Sequence, residues 1–291
     1  MWIKLLLAIV LVFFLVAAFV VEPAREHEPN QQGAAGGRAA IGSRLRLLTW
    51  NIGNGDLESE SRAHADDLPA IAQVILDNDA DAVALQELTG EDQLKLLLTD
   101  LKDRYRGFVS MRGNSDRVEA VLVKNQNNRP RRREDDVVFS NVPAGDRFAA
   151  AATFRLQKDM PVVMLVSAHA DAFKAARRRT FVAEVTDWVR SQGQTNLSFI
   201  AGDLNFEVST RTRNDLFTDD VKHDSESYAY LLKYFRDLGL DAGETSINNR
   251  RIDYILGPPT TAHLVRAEVL RGAAIGRMDH WPLLVEVSLS L

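Results

Sequence analysis

Cysteine is absent from this chain of 291 residues, which excludes disulfides, zinc–thiolate sites, thiol nucleophiles and a lipid-modified N-terminal cysteine. An excess of basic charge is missing too. Forty acidic residues against 35 basic ones give a formal charge of -5, which excludes a protein that coats nucleic acid by bulk charge but leaves room for a local basic patch. Histidine is sparse, at six residues, and no internal repeat is visible. What remains is ordinary: 46% apolar and 26% charged residues fit one large globular domain with a normal core, plus extra segments.

The first extra segment is the uncharged apolar run Leu5 to Val21, at the short end of what spans a bilayer. Lys4 and the free amine precede it, and Glu22, Glu26 and Glu28 follow it, so the positive-inside rule puts the rest of the chain outside the cytoplasm. Val16-Ala17-Ala18 resembles a small-residue cleavage site, but Phe19-Val20-Val21 continues the apolar run, which favours an uncleaved anchor over a removed signal. Residues 1–22 are thus expected to be a membrane anchor or signal segment. Residues 23–43, with Pro23, Pro29 and four glycines, are expected to be a flexible linker. The folded domain is expected over 44–291, as a monomer.

Within that domain one pattern recurs: an apolar run that stops at an acid, an amide or an imidazole. The clearest case is Leu197 to Ala201 followed by Gly202-Asp203-Leu204-Asn205, a buried strand delivering a carboxylate and an amide two residues apart, hence on the same side. Leu45 to Trp50 similarly ends at Asn51, Ala82 to Leu85 at Gln86-Glu87, and Val162 to Val166 at Ser167-Ala168-His169. The run Arg251 to Leu256 carries Asp253, and Asp279-His280 stands between two strands expected near 263–270 and 283–289. Arg147 opens the run Phe148 to Phe154, read as a strand adjacent to 161–166 because of its flanking aromatics, despite its alanines. Helices are expected after Asp66-Asp67, over about 91–102, over 173–191 and around 228–235. The arginines at 129 and 131–133, and Arg177, Arg178 and Arg179, are read as solvated. Ser209 to Ser227 is expected to be a long polar loop.

Carboxylates without cysteine and with few histidines favour a hard, oxygen-loving ion such as Mg²⁺ or Mn²⁺. Phosphate-ester hydrolysis needs that ion, a carboxylate for the attacking water, and donors for the charge that develops. A protonated imidazole supplies such a donor when a carboxylate backs it, as Asp253 would for His280.

Thr49-Trp50-Asn51, Gln86-Glu87, Ser167-Ala168-His169, Gly202-Asp203-Leu204-Asn205, Arg251-Ile252-Asp253 and Asp279-His280-Trp281-Pro282 stand in the order of the endonuclease/exonuclease/phosphatase superfamily, which residues 44–291 resemble. The resemblance implies an α/β fold, a four-layer αββα sandwich of two mixed β-sheets flanked by helices, and metal-dependent phosphoester cleavage. It implies Glu87 as the principal metal ligand, with Asn51 and Asp279 in the same shell. His280, supported by Asp253, would contact the scissile phosphate, Asp203 would orient or deprotonate the water, Asn205 would hold a phosphate oxygen, and His169 would be a second phosphate-facing imidazole. Arg147 resembles the phosphate-binding arginine of secreted deoxyribonucleases. Met278 replaces the serine usual before the Asp-His pair, Thr89 replaces a groove-reading arginine, and no acid near Met111 is apparent as a partner for His169. The expected activity is a membrane-tethered or secreted, Mg²⁺- or Mn²⁺-dependent endonuclease acting on DNA or RNA. The alternatives are a phosphodiesterase or phosphatase acting on lipid or inositol phosphate head groups and, from a different class, an inactive binding module on the same fold.

Overall fold

The structure is a computed structural model and describes residues 43–53, 67–125, 137–155, 161–193, 197–208, 221–273, 275 and 278–290. The expected anchor, the linker up to residue 42 and the arginines at 129 and 131–133 lie outside these residues, and Ser43, expected as the linker's last residue, already belongs to the first strand. Among the described residues no helix is long and apolar enough to cross a membrane.

Among the described residues, twelve strands and four α-helices follow in the order β1 (Ser43–Asn51), α1 (Leu68–Asp77), β2 (Ala82–Leu88), α2 (Glu91–Asp100), β3 (Tyr105–Val109), β4 (Val118–Lys124), β5 (Val137–Ala144), β6 (Arg147–Arg155), β7 (Val162–His169), α3 (Ala175–Ser191), β8 (Ser198–Asp203), α4 (Val221–Leu231), β9 (Arg236–Asp237), β10 (Asp253–Gly257), β11 (Ala262–Val269) and β12 (Leu283–Leu289). They form two six-stranded sheets, ordered β11-β12-β1-β2-β4-β3 and β5-β6-β7-β8-β10-β9. Each is mixed in the same way: β1 and β2 run parallel in one, β7 and β8 in the other, and the remaining pairs are antiparallel. A parallel pair needs a crossover, and α1 and α3 supply the two.

The central strands are buried on both faces, so their period-2 pattern is hidden within continuous apolar runs. One face of each sheet meets the other sheet through Leu45, Leu47, Ala82, Ala84, Val121, Ala152, Leu165, Phe199, Ala201 and Ile255. The opposite face of the first sheet packs Leu48, Trp50, Val83 and Leu85 against Ile71 and Leu97 of α1 and α2. The opposite face of the second packs Val166, Ile200 and Tyr254 against Phe181 and Val185 of α3 and Leu231 of α4. The four-layer sandwich expected above is therefore what the chain builds.

Three expectations need correction. Val137–Ala144, left without an element by the sequence reading, is an eight-residue edge strand paired along its length with β6; Pro143 and the polar Ser140 and Asn141 mask it, and an edge tolerates them. The polar stretch expected to run to Ser227 gives way to α4 at Val221, and α4 ends at Leu231, ahead of Tyr234 and Phe235. Arg178 is not solvated: its side chain is fully buried and forks onto Asp224 of α4 at 2.9 and 3.1 Å. Arg177 and Arg179 do remain largely exposed.

Candidate active site

The inter-sheet core ends in polar groups because the strands keep their alternation past the last apolar residue. In β1 the inward series Leu45, Leu47 leads to Thr49 and Asn51; in β7 Val163, Leu165 leads to Ser167 and His169; in β8 Phe199, Ala201 leads to Asp203; in β10 Ile255 precedes Asp253. Each of these polar side chains shares its strand face with inter-sheet core residues. β4 runs the other way, so its beginning lies at this end, and Glu119 occupies the inward position two residues before Val121.

Glu87 does not fit simple alternation, which puts it on the α1–α2 side with Val83 and Leu85. A register irregularity between Leu85 and Leu88 against β4 and a left-handed backbone at Glu87, φ 66°, turn it back. Bulges re-aim side chains in this way, at an energetic cost that functional sites tolerate. Gly53 makes room for the result, since a Cβ there would lie 1.9 Å from Glu87 Oε2. Asn205 is the other left-handed residue of the group, φ 53°; its amide donates to the Ala170 carbonyl at 3.1 Å, and its backbone N–H donates to Asp203 Oδ1 at 2.9 Å.

These residues converge. Asn51 Nδ2 donates to Glu87 Oε1 at 3.2 Å and to Asp203 Oδ2 at 3.0 Å, tying the two sheets together. Both imidazoles face the same carboxylate oxygen: His169 Nε2 is 3.6 Å and His280 Nε2 3.7 Å from Asp203 Oδ2. His169 Nε2 is also 3.7 Å from Glu87 Oε1, and Asp279 Oδ1 lies 3.9 Å from His280 Nε2. Behind them, His280 Nδ1 is 2.8 Å from Asp253 Oδ2, and His169 Nδ1 is 3.6 Å from Glu119 Oε1, an ion-pair separation rather than a close hydrogen bond. Ser110 donates to the other Glu119 oxygen at 3.1 Å. Trp50 Nε1 donates to the His280 carbonyl at 3.1 Å, and Ser246, in the connection before β10, bridges to His280, so the Asp279-His280 segment is anchored from two sides.

Arg147 is not brought into this cluster. Its nearest polar contacts are Asp171 Oδ2 at 3.8 Å and the His169 carbonyl at 3.5 Å. It shares strand parity with Ala149 and Ala151, which face α3, and it lines a cavity of about 250 Å³ with Asp171, Arg177 and Phe181. Two residues that sequence reasoning missed do belong to the site. Glu119 partners His169, and its signal was inward parity at the start of β4. Arg117 pairs with Glu87 Oε2 and leaves no such signal.

Charge in this pocket is strongly coupled. Burial opposes the positive form of His280, yet Asp253 and Asp203 outweigh it and raise the pKa to about 10. Burial likewise opposes the His169 charge, and Glu119, Asp203 and Glu87 leave its pKa raised. Burial pushes the Asp253 carboxyl up against the pull of His280. It also pushes Glu87 up, with His169, Arg117 and the Asn51 amide pulling the other way.

Asp203, Asp253 and His280 offer ligand atoms within 4.8 Å of one another, but a shared proton accounts for the His280–Asp253 contact. Glu87 is the better anchor for a cation, being a buried carboxylate whose charged form is penalised. Glu87, Asn51 and Asp279 carry oxygen donors of the kind that would hold a hard divalent cation.

The family model described as "Endonuclease/Exonuclease/phosphatase family" matches residues 48–276. The chain belongs to this family, whose members hydrolyse phosphoesters. Among solved structures, an endonuclease/exonuclease/phosphatase family protein from Bacteroides thetaiotaomicron aligns with TM-score 0.63 and 18% identity over 86% of this chain and 99% of its own. The human Nocturnin catalytic domain with bound sulfate aligns with TM-score 0.63 and 15% identity over 85% of this chain and 95% of its own. A mannosyl-6-phosphatase from Bacteroides thetaiotaomicron aligns with TM-score 0.60 and 18% identity over 84% of this chain and 100% of its own. These likenesses are of fold. No curated protein matches the chain.

Proposed function

We propose that this family member is a Mg²⁺- or Mn²⁺-dependent phosphodiesterase, and that nucleic acid held outside the cytoplasm is its substrate. The observation that carries the hydrolytic reading is the pair of carboxylate-backed imidazoles aimed at one Asp203 oxygen beside Glu87. When bound, the cation neutralises charge on a non-bridging phosphate oxygen. Asp203 orients the attacking water and takes its proton as the new O–P bond forms. His280, whose Nδ1 is engaged by Asp253, presents Nε2–H to the phosphate and has a proton to give the departing oxygen as the ester bond breaks. His169 and the Asn205 amide supply further donors to the phosphate oxygens. The localisation rests on the charge asymmetry around Leu5 to Val21.

A specific observation favours a second substrate class, lipid or inositol phosphate head groups. Arg147 and Arg177, two of the cations nearest the site, are already engaged by Asp171 and Asp146. Meanwhile Met111, Phe173 and Ile247 are each about half exposed on the loops after β3, after β7 and before β10. An apolar rim suits an interface better than a polyanion. The test is hydrolysis by the full chain in detergent of plasmid DNA, RNA, phospholipid vesicles and inositol phosphates, with EDTA and with Mg²⁺ or Mn²⁺ restored. Metal-restored nuclease activity that falls steeply with salt is the expected result. Cleavage confined to lipid or inositol phosphates, with little salt response, overturns the nucleic-acid reading; activity that survives chelation overturns the metal.

A further inference from the structure

Arg117 has no part in the chemistry above, yet it holds the carboxylate that chemistry depends on most. It sits just ahead of β4, opposite the irregularity that turns Glu87 inward, because Leu88 pairs with Val118. Glu87 divides its two oxygens. Oε1 points inward to the Asn51 amide at 3.2 Å and to His169 at 3.7 Å. Oε2 lies between Gly53 and Arg117 Nη1. Oε1 already accepts from the Asn51 amide, so a cation bound at Oε2 shares that oxygen with the guanidinium.

We infer that Arg117 is a built-in competitor of the divalent cation: its guanidinium pairs with Glu87 Oε2, an atom that would hold the ion, and the two positive charges contend for that carboxylate. This rests on the metal-dependent reading above. The physical need is plain. Glu87 is a buried carboxylate, and the guanidinium is a positive charge set directly on one of its oxygens. The arrangement is reversible because the Arg117 side chain is 25% exposed, against 12% for Glu87, and a long flexible stem leaves the pocket for water without moving β4. Its backbone N–H is fixed by Ser115 Oγ at 3.1 Å, so the chain stays in place while the head group moves. Loading then exchanges one charge partner of Glu87 for another, and the protein holds its cation more weakly than the same ligands would without the arginine.

The experiment is calorimetric titration of the full chain in detergent with Mg²⁺, and with Mn²⁺ followed by its electron paramagnetic resonance, for wild type, Arg117→Gln, Arg117→Lys and Arg112→Gln. A partly exposed ion pair of this kind reduces cation affinity roughly two- to fivefold, so Arg117→Gln should tighten Kd by that factor. Arg117→Lys keeps the charge and should stay near wild type. Arg112 is an exposed cation at the same end that reaches the Thr89 carbonyl instead of Glu87, so Arg112→Gln should change nothing. Unchanged or weaker binding in Arg117→Gln overturns the inference, as does equal tightening in Arg112→Gln, which reports bulk charge. Both leave the metal-dependent reading standing. A wild-type protein that binds neither ion and hydrolyses none of the phosphoesters tested overturns that reading, and the inference with it.

Discussion

Replacing Asp253 by Asn isolates the charge behind His280 while keeping shape and one hydrogen bond, because Asn Oδ1 still accepts from Nδ1–H. The wild-type contact is 2.8 Å between two side chains that are 7% and 0% exposed. The His280 pKa, about 10 against an ordinary 6.5, corresponds to on the order of 5 kcal/mol of preference for the imidazolium at 1.4 kcal/mol per pH unit. Burial opposes that preference, so losing the Asp253 charge should carry the pKa below neutrality. Cleavage at pH 7 should then fall about 10²- to 10³-fold, the usual loss for one donor aimed at developing charge. Stability gives an independent sign check. A folded-state pKa above the unfolded value adds stability that is complete below about pH 6.5 and is lost as pH rises through about 10. In EDTA, the difference in Tm between wild type and Asp253→Asn should be widest near pH 6.5 and shrink toward pH 10. Imidazole NMR resonances would report the His280 titration directly. A variant whose His280 still titrates above pH 8, or a Tm difference that grows with pH, would refute the reasoning.

Two further outcomes follow from packing. Gly202 has φ 149°, and a Cβ there would lie 1.9 Å from the Ala168 carbonyl oxygen of the neighbouring parallel strand; Gly202→Ala should cost ~3 kcal/mol and lower Tm by roughly 6–12 °C, and an unchanged melting curve would contradict the strand geometry. Removing Asp224 takes the counter-charge from the fully buried Arg178, which keeps its bonds to the Asp171 and Ala172 carbonyls, so Asp224→Ala should destabilise by about 3 kcal/mol; denaturant midpoints measure it, and an unchanged midpoint would contradict the buried pair.

Much of the architecture was legible because most elements announce themselves by period and by where an apolar run stops. Asn51, His169, Asp203 and Asp253 were readable for the same reason: each extends the inward series of its strand beyond the core. Glu87 was found as an acid after an apolar run, but its direction was not, since that depends on a bulge and a left-handed φ that no local residue preference dictates. Glu119 escapes the pattern because it begins an apolar run instead of ending one, and β4, running antiparallel to β2, brings its beginning to the site. Arg178 was misjudged because a buried arginine is recognisable only from its partner, and Asp224 is 46 residues away. Arg147 opens its strand as expected, yet its parity turns it toward α3, a distinction that a single strand without its sheet cannot supply.

Directly beneath the pocket, Gln86 Nε2 donates to Ser167 Oγ at 2.9 Å, and Ser167 Oγ in turn donates to the Leu85 carbonyl at 2.9 Å, with all three residues fully buried. This small rivet joins the two halves of the sandwich at the one depth where slippage would matter most, since Glu87 and Asn51 arrive on one half and His169 and Asp203 on the other. A shear of an ångström between the halves would leave each intact as a folded layer and yet silence the enzyme.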